Sequence, residues 1–427
     1  MFLAFSKANV EDLTKRVPSY VKVSTLHSLG LNAIKAKQKF VKVDSNKCID
    51  IATNILKSSN LQPTAIRGLV TKVANLVGYM KFDLVSTFTE AQSTAIKYGI
   101  EASELVLETA VETLKLSNLT TKIIDFNDMV YLPAKNNLKL DYFDIIFVDE
   151  AQDLNKAQQQ LVTNLITPNN RFIAVGDPNQ AIYGWAGVDN ESFFNFKNFP
   201  NVVELPLSVN FRCGKRILET VKHLVPQIEA SEMAIEGTVN YDAKIEDIKQ
   251  KDFVLCRNTA PLVKLCLYLI KNKIKANVKG ANYGKDILSL LTKSKASNTH
   301  ELEIYLAQTL QDKKDFLSKN YGIKNESLNN CPSVIELNDK IDVIKTFITE
   351  SDNLEYIRQS LTDIFSDNCE GVILSTIHRA KGLEAKNVFI LNNNLFESEI
   401  AKKDKQNDNL IYVAYTRAKE TLNFVTM

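Results

Sequence analysis

Across 427 residues there is no CxxC pair, no internal repeat, no low-complexity tract and only one tryptophan. No apolar run approaches the roughly 20 residues of a membrane span, so no membrane partner is expected. The six cysteines, Cys48, Cys213, Cys256, Cys266, Cys331 and Cys369, are scattered, with no histidine nearby at ligand spacing. That pattern disfavours a disulfide framework or a Cys/His metal site and reads as incidental thiols of a reduced, cytosolic protein. The opening MFLAFSKANVEDLTKR lacks a basic lead, a long apolar core and a small-residue cleavage site, so it reads as mature sequence. Charge of one sign is also missing: the formal net charge is +2. Composition alone therefore gives no case for a nucleic-acid binder, and any such contact must come from local patches.

What is present is ordinary globular material, 45% hydrophobic and 24% charged. The length suggests about three domain-sized units and allows more than one large core. Four short apolar runs, FLAFS, DIIFVDE, RFIAVGD and NVFILNN, resemble buried parallel strands closed by polar turns. Between them lie amphipathic, helix-length stretches such as Asn155 to Ile166 and Lys215 to Val225. Strands alternating with helices imply parallel α/β sheets, whose ligands sit at the carboxyl ends of strands. Two stretches break this rhythm and read as helical insertions, residues from about 31 to 118 and from about 285 to 365.

The chemistry concentrates where these strands end. IIFVDEAQD, Ile145 to Asp153, runs four apolar residues into a knot of carboxylates and an amide. An aspartate there can hold a water on Mg²⁺ beside nucleotide phosphates, while an adjacent glutamate deprotonates the attacking water. The bland alternative is a helix cap, with Asp153 accepting backbone N–H groups. RFIAVGDPNQAIYGWAG then sets Gln180, Tyr183 and Trp185 in a turn. A lone tryptophan is usually core, but one among Gly184, Gly187 and polar residues suits stacking on a nucleic-acid base, worth about 1–3 kcal/mol. VNFRCGKRIL, STIHRAKGLEAKNVFIL and NLIYVAYTRAKETL add Phe211, Arg212, His378, Lys381, Glu384 and Arg417. Arginine suits a γ-phosphate because its planar fork binds oxygens bidentately and keeps its charge.

In this order, nearly end to end, these stretches resemble the UvrD/Rep-like helicases of superfamily 1. VDEAQD looks like that family's Walker B motif, GDPNQAIYGWAG its third motif, VNFRC its fourth, STIHRAKGLE its fifth and YVAYTRAK its sixth. LAFSKAN and VSTLHSLG are similar to its early DNA-contacting motifs, and IDFNDMVYLP has its Asp-Phe-x-Asp character. FVLCRNTAPLVKLCLYLIKNKIKANV resembles the strand and helix ahead of the second insertion. The resemblance implies an α/β fold of two RecA-like parallel-sheet domains of P-loop NTPase type. The first would span residues 1–205 with the insertion at about 31–118, the second 206–427 with a reduced insertion at about 285–365. ATP would bind between them and single-stranded DNA would cross both, moved 3′ to 5′ as in relatives.

Carried over residue by residue, Asp149 would hold Mg²⁺ through water and Glu150 would act as base. Gln180 would sense the γ-phosphate, and Arg212 and Arg417 would be arginine fingers. Phe211 would stack on adenine in place of a family tyrosine, and Gly382 and Glu384 would meet the nucleotide, Glu384 at its ribose. Phe5, Ser6, Lys7, His27, Phe126, Tyr183, Trp185, Thr376 and His378 would form the DNA track. Plain readings stand beside these: Phe5 and Phe126 as core, His27 and His378 as satisfied hydrogen-bonding residues, Arg212 as the partner of a structural acid.

The family's GxxxxGK[ST] phosphate loop should precede LAFSK, and these residues do not contain it. GANYGKD, Gly280 to Asp286, has one residue too few between its glycines and ends in Asp where a hydroxyl is needed; CGKR, Cys213 to Arg216, lacks the first glycine. A truncated helicase, one piece of a split helicase completed by an amino-terminal segment on another chain, and an inactive DNA-binding scaffold all follow from that. Expected partners are single-stranded DNA, DNA junctions and other repair or replication proteins. Lys/Asn/Ile richness points to an AT-rich genome of a bacterium or phage, and the expected location is the cytoplasm of a bacterial or phage-infected cell.

Overall fold

Each of those apolar runs becomes a strand of a parallel sheet, and the two sheets belong to separate units, Met1–Val203 and Glu204–Met427. The structure, a computed structural model, describes the chain apart from residues 5, 39, 60, 185–186, 189–191, 322–327, 330, 366–370 and 403–405. Phe5 and Trp185, both expected on the DNA track, lie outside the described residues.

In the first unit the strands are β1 (Phe2–Ala4), β2 (Val23–Thr25), β3 (Lys42–Val43), β4 (Ile123–Ile124), β5 (Ile145–Val148) and β6 (Arg171–Ala174). Four of them form an all-parallel sheet in the order β2-β1-β5-β6. Near-continuous apolar runs such as IIFV suit strands covered on both faces. Leu3, Ile146 and Val148 pack there with Leu26, Leu29, Val130, Leu154 and Leu161 from flanking segments. The helices are α1 (Lys7–Arg16), α2 (Leu26–Lys37), α3 (Lys47–Lys57), α4 (Pro63–Asp83), α5 (Phe88–Lys97), α6 (Glu104–Leu119), α7 (Asp128–Lys135) and α8 (Lys156–Thr163). Helices α3 to α6 form the first insertion. Pro63 occupies the first turn of α4, where a missing N–H costs nothing, and Thr87 and Glu90 make a capping box that starts α5. The sequence showed no strand here, yet β3 pairs in parallel with β4. Two residues per strand carry no readable alternation.

The second unit's strands are β7 (Val209–Asn210), β8 (Glu229–Ala230), β9 (Thr238–Asn240), β10 (Phe253–Cys256), β11 (Ala276–Val278), β12 (Val372–Thr376), β13 (Ala385–Leu391) and β14 (Ala418–Val425). Six form a parallel sheet in the order β11-β12-β10-β13-β14-β9. Its helices are α9 (Lys215–Val221), α10 (Thr259–Lys271), α11 (Ala281–Ser294), α12 (Thr299–Tyr321), α13 (Pro332–Ile348), α14 (Leu354–Ile364), α15 (Ile377–Ala380), α16 (Glu399–Lys402) and α17 (Asn407–Tyr415). Helices α11 to α14 form the second insertion, where 285–321 contains no glycine or proline to interrupt it.

Candidate nucleotide and nucleic-acid sites

Asp149 and Glu150 stand directly after β5, at the carboxyl end of a strand paired on both sides. Glu150 turns the chain with φ +51°, a left-handed conformation that costs a non-glycine residue on the order of 1 kcal/mol or more. The Glu150 N–H donates to Asp149 Oδ1 at 3.0 Å. Burial, and then the charge of Glu150, push the Asp149 carboxyl above the usual aspartate range. Gln152 is fully buried; its amide donates to Glu150 Oε2, and its Oε1 accepts the Asp177 N–H at 3.1 Å. Gly176 makes room for this, because a Cβ there would lie 2.3 Å from Gln152 Oε1. Asp177 in turn accepts from the Asn179 N–H at 3.0 Å and from Gln180 Nε2 at 2.9 Å.

One polar chain therefore joins Asp149, Glu150, Gln152, Asp177 and Gln180. The sequence noted the amide of Gln152 but gave it no role, since a link to a strand some twenty residues away leaves no local pattern. The cap of α8 is Asn155, in a capping box with Gln158, while the Asp153 N–H donates to Glu150 O at 2.9 Å. The carboxylate pair suits Mg²⁺, which binds through one or two carboxylates plus water and phosphate oxygens. Among the described residues no group of three His, Cys, Asp or Glu could hold a metal by itself. Beside the elbow, β6 pairs only with β5 among the described strands, and Val175 just beyond it is 43% exposed.

A second feature of this unit is aromatic. Thr25 Oγ1 accepts the Ser28 N–H and starts α2, placing His27 in its first turn. The His27 ring stacks on Phe126 at 4.1 Å, and burial pushes its pKa down, which keeps the imidazole neutral near pH 7. Phe126 remains 57% exposed, so it is not core. His27, Phe126, Tyr183, Asn155 and Lys81 line a cavity of about 380 Å³. Ser6 caps α1 by accepting the Asn9 N–H, and Lys7 is exposed beside it.

Phe126 projects because its neighbours point inward. Asp125 and Asp128 each accept the other's N–H. Lys47 Nζ lies 2.7 Å from Asp128 Oδ2, and Lys81 Nζ lies 2.5 Å from Asp125 Oδ2 and 2.7 Å from Asp128 Oδ1. Cys48 Sγ donates to Asp125 at 3.1 Å, and burial pushes its thiol up to about 11. Of the Asp-Phe-x-Asp motif, the sequence puts only Phe126 on the DNA track and gives its two acids no role; both acids are buried. Their lysines come from α3 and α4, too distant in sequence for any motif to show. The legible signal was Asp-x-x-Asp where a strand meets a helix.

In the second unit Phe211 is 82% exposed at the turn after β7. Arg212 Nε pairs with Glu384 at 2.7 Å, and Lys419 also bonds Glu384. The Lys419 hydrogen bond first, then the Arg212 charge, hold the Glu384 carboxyl below the usual range. Gly382 adopts φ +81° in the turn just ahead. Arg417 sits at the corner between α17 and β14 and is only 1% exposed. Its guanidinium donates to Val413 O at 2.9 Å, Thr416 Oγ1 at 3.2 Å and Leu383 O at 3.3 Å. Arg212, Glu384 and Arg417 are thus brought together around the Gly382–Glu384 turn. Thr376, buried, ends β12 and precedes α15, which carries half-buried His378.

The UvrD/REP helicase N-terminal domain matches residues 3–201, and the UvrD-like helicase C-terminal domain matches residues 300–427. The chain belongs to the UvrD/Rep helicase family. This UvrD/Rep-family chain is 29% identical over 216 residues to the ATP-dependent DNA helicase Rep of Buchnera aphidicola, covering 48% of this chain and 33% of that protein. It is 26% identical over 239 residues to the ATP-dependent DNA helicase PcrA of Staphylococcus epidermidis, covering 51% and 32%. The F-box DNA helicase protein 1 of Schizosaccharomyces pombe is 24% identical over 468 residues, covering 99% of this chain and 52% of that protein. The chain thus matches 33% and 32% of the two bacterial relatives and about half of the yeast one. Among the described residues no helix is long and apolar enough to cross a membrane.

Proposed function

We propose that the chain works as part of an ATP-driven motor on single-stranded DNA, moving 3′ to 5′ and opening duplex at junctions during repair, recombination or replication. The polar chain Asp149–Glu150–Gln152–Asp177–Gln180 is the observation that carries this reading. A general base, a carboxylate partner for a metal and a γ-phosphate sensor gain from rigid linkage only if they act on one ligand. Asp149 would hold Mg²⁺, which supplies charge neutralisation on the phosphates of ATP. Glu150 takes the proton of the attacking water, and Gln152 fixes the orientation of its carboxylate. Phe211, exposed, offers a face for adenine. Arg212 reaches phosphate by exchanging its half-exposed partner Glu384. Arg417 braces the Gly382–Glu384 turn and reaches outward only by giving up acceptors such as the Val413 and Leu383 carbonyls. His27, Phe126 and Tyr183 take bases in their cavity by stacking. Ser6, Lys7, Thr376 and His378 meet phosphates.

The reading to be separated from this one is a DNA-binding scaffold, which would hold single strands without turning over ATP. Mg-ATP hydrolysis separates the two, measured on the chain as written and on the chain with a GxxxxGKT-bearing segment fused ahead of Met1, each with and without single-stranded DNA. The motor reading expects DNA-stimulated turnover in the fused chain, lowered about 100-fold or more by Glu150→Gln with nucleotide binding kept. Silence of the fused chain would leave the scaffold. Phe126→Ala should weaken single-strand binding about tenfold with little change in melting temperature, because the ring is exposed. An unchanged dissociation constant would remove Phe126 from the track.

A further inference from the structure

The GANYGKD stretch, unfit as a phosphate loop, has another use in the fold. After β11 the chain turns at Gly280 with φ +127°, a conformation strained for any residue with a side chain, and α11 begins. A Cβ at Gly280 would lie 3.0 Å from both Cζ and Nε of Arg379, so the guanidinium rests against bare backbone. Its Nη1 also donates to Lys279 O at 3.4 Å. Arg379 Cζ stands 4.6 Å from the ring centroid of Tyr283, within cation–π distance. The ring is fixed at its far end: Tyr283 Oη donates to Asp339 Oδ2 at 2.5 Å. Asp339 belongs to α13, and its Oδ1 accepts the N–H groups of Thr259 at 2.9 Å and Ala260 at 3.4 Å, capping α10 from outside.

Arg379 belongs to the four-residue α15, next to His378 and shortly after Thr376. A helix of one turn closes few hydrogen bonds of its own, so side-chain anchors decide where it sits. We propose that Tyr283, held by Asp339, is a positioning residue: through Arg379 it fixes the Thr376–His378 turn and ties the second helical insertion to the DNA contact made there. The DNA part rests on the function proposed above; the anchoring does not.

Hydrogen exchange and binding of a fluorescent oligothymidylate, both on the full chain, separate those two layers. Tyr283→Leu removes the ring, Arg379→Ala removes the guanidinium, and Tyr283→Phe keeps the ring but loses the bond to Asp339. Amide exchange in residues 377–382 should rise about tenfold in Tyr283→Leu and Arg379→Ala, less in Tyr283→Phe, and stay unchanged in 253–256. Single-strand affinity should fall several-fold in the same order, and Tyr283→Leu should add nothing in a His378→Ala background. Unchanged exchange at 377–382, or a rise spread evenly over Glu204–Met427, overturns the proposal. A local rise in a chain that binds no single strand keeps the anchoring and removes the DNA reading.

Discussion

In the first unit the insertion meets the rest through charge: Lys47 of α3 and Lys81 of α4 reach Asp125 and Asp128, all of them buried. In the second unit it meets the sheet through oil. Leu302, Leu306, Ile341, Ile344, Phe347, Ile357 and Leu361 share one hydrophobic cluster with Val254, Val278, Val372 and Leu374 of the strands. A buried ionic lattice accepts only one registration of its partners, whereas an apolar interface tolerates repacking. The first arrangement thus defines where the Phe126 turn stands. The second joins insertion and sheet into one core and leaves registration to a few polar contacts, such as Asp339 with the Thr259 N–H and Tyr283 with Arg379.

Breaking the first contact should be the most costly. Lys81→Met leaves buried Asp125 without a cation and Asp128 with Lys47 alone, and should lower unfolding free energy by about 3–5 kcal/mol, measured by urea denaturation. Lys81 holds the Asp125 carboxyl below the usual range despite its burial. That stabilisation is present above the ordinary aspartate pKa and lost as pH falls through the depressed one, so the variant should also lose part of the acid limb of the stability curve. Leu306→Ala should cost about 2–5 kcal/mol by opening a cavity, with no dependence on salt or acid. An acid-sensitive loss there would erase the contrast between the two insertions. Smallest is Glu384→Gln, at about 1 kcal/mol or less for a half-exposed pair. Its carboxyl is also held low, so the difference from the parent should be present near neutrality and vanish as pH drops through the lowered pKa.

Much of this was legible in the residues. Continuous apolar runs with polar endings gave the parallel strands, and a stretch from 285 to 321 without glycine or proline gave long helices. The Asp149–Glu150 elbow was legible because carboxylates after a buried strand have no structural motive of their own. What escaped were contacts between positions far apart in sequence. Gln152 bonding the Asp177 N–H, Lys47 and Lys81 reaching Asp125 and Asp128, and Asp339 capping α10 each depend on how helices settle. Arg417 illustrates the same gap: its motif named the residue, but only the fold shows its guanidinium spent on Val413 and Leu383 carbonyls.

The short β3–β4 pair has a consequence for exchange of parts. Because Lys42–Val43 lies alongside Ile123–Ile124, helices α3 to α6 hang from a narrow neck that no strand of the four-stranded sheet shares. Such a neck makes the insertion a cassette: another helical bundle could be grafted between β3 and β4 without lengthening or re-registering the sheet. The graft carries one chemical condition. It must bring two cations to Asp125 and Asp128, or leave those acids open to water, where they need none.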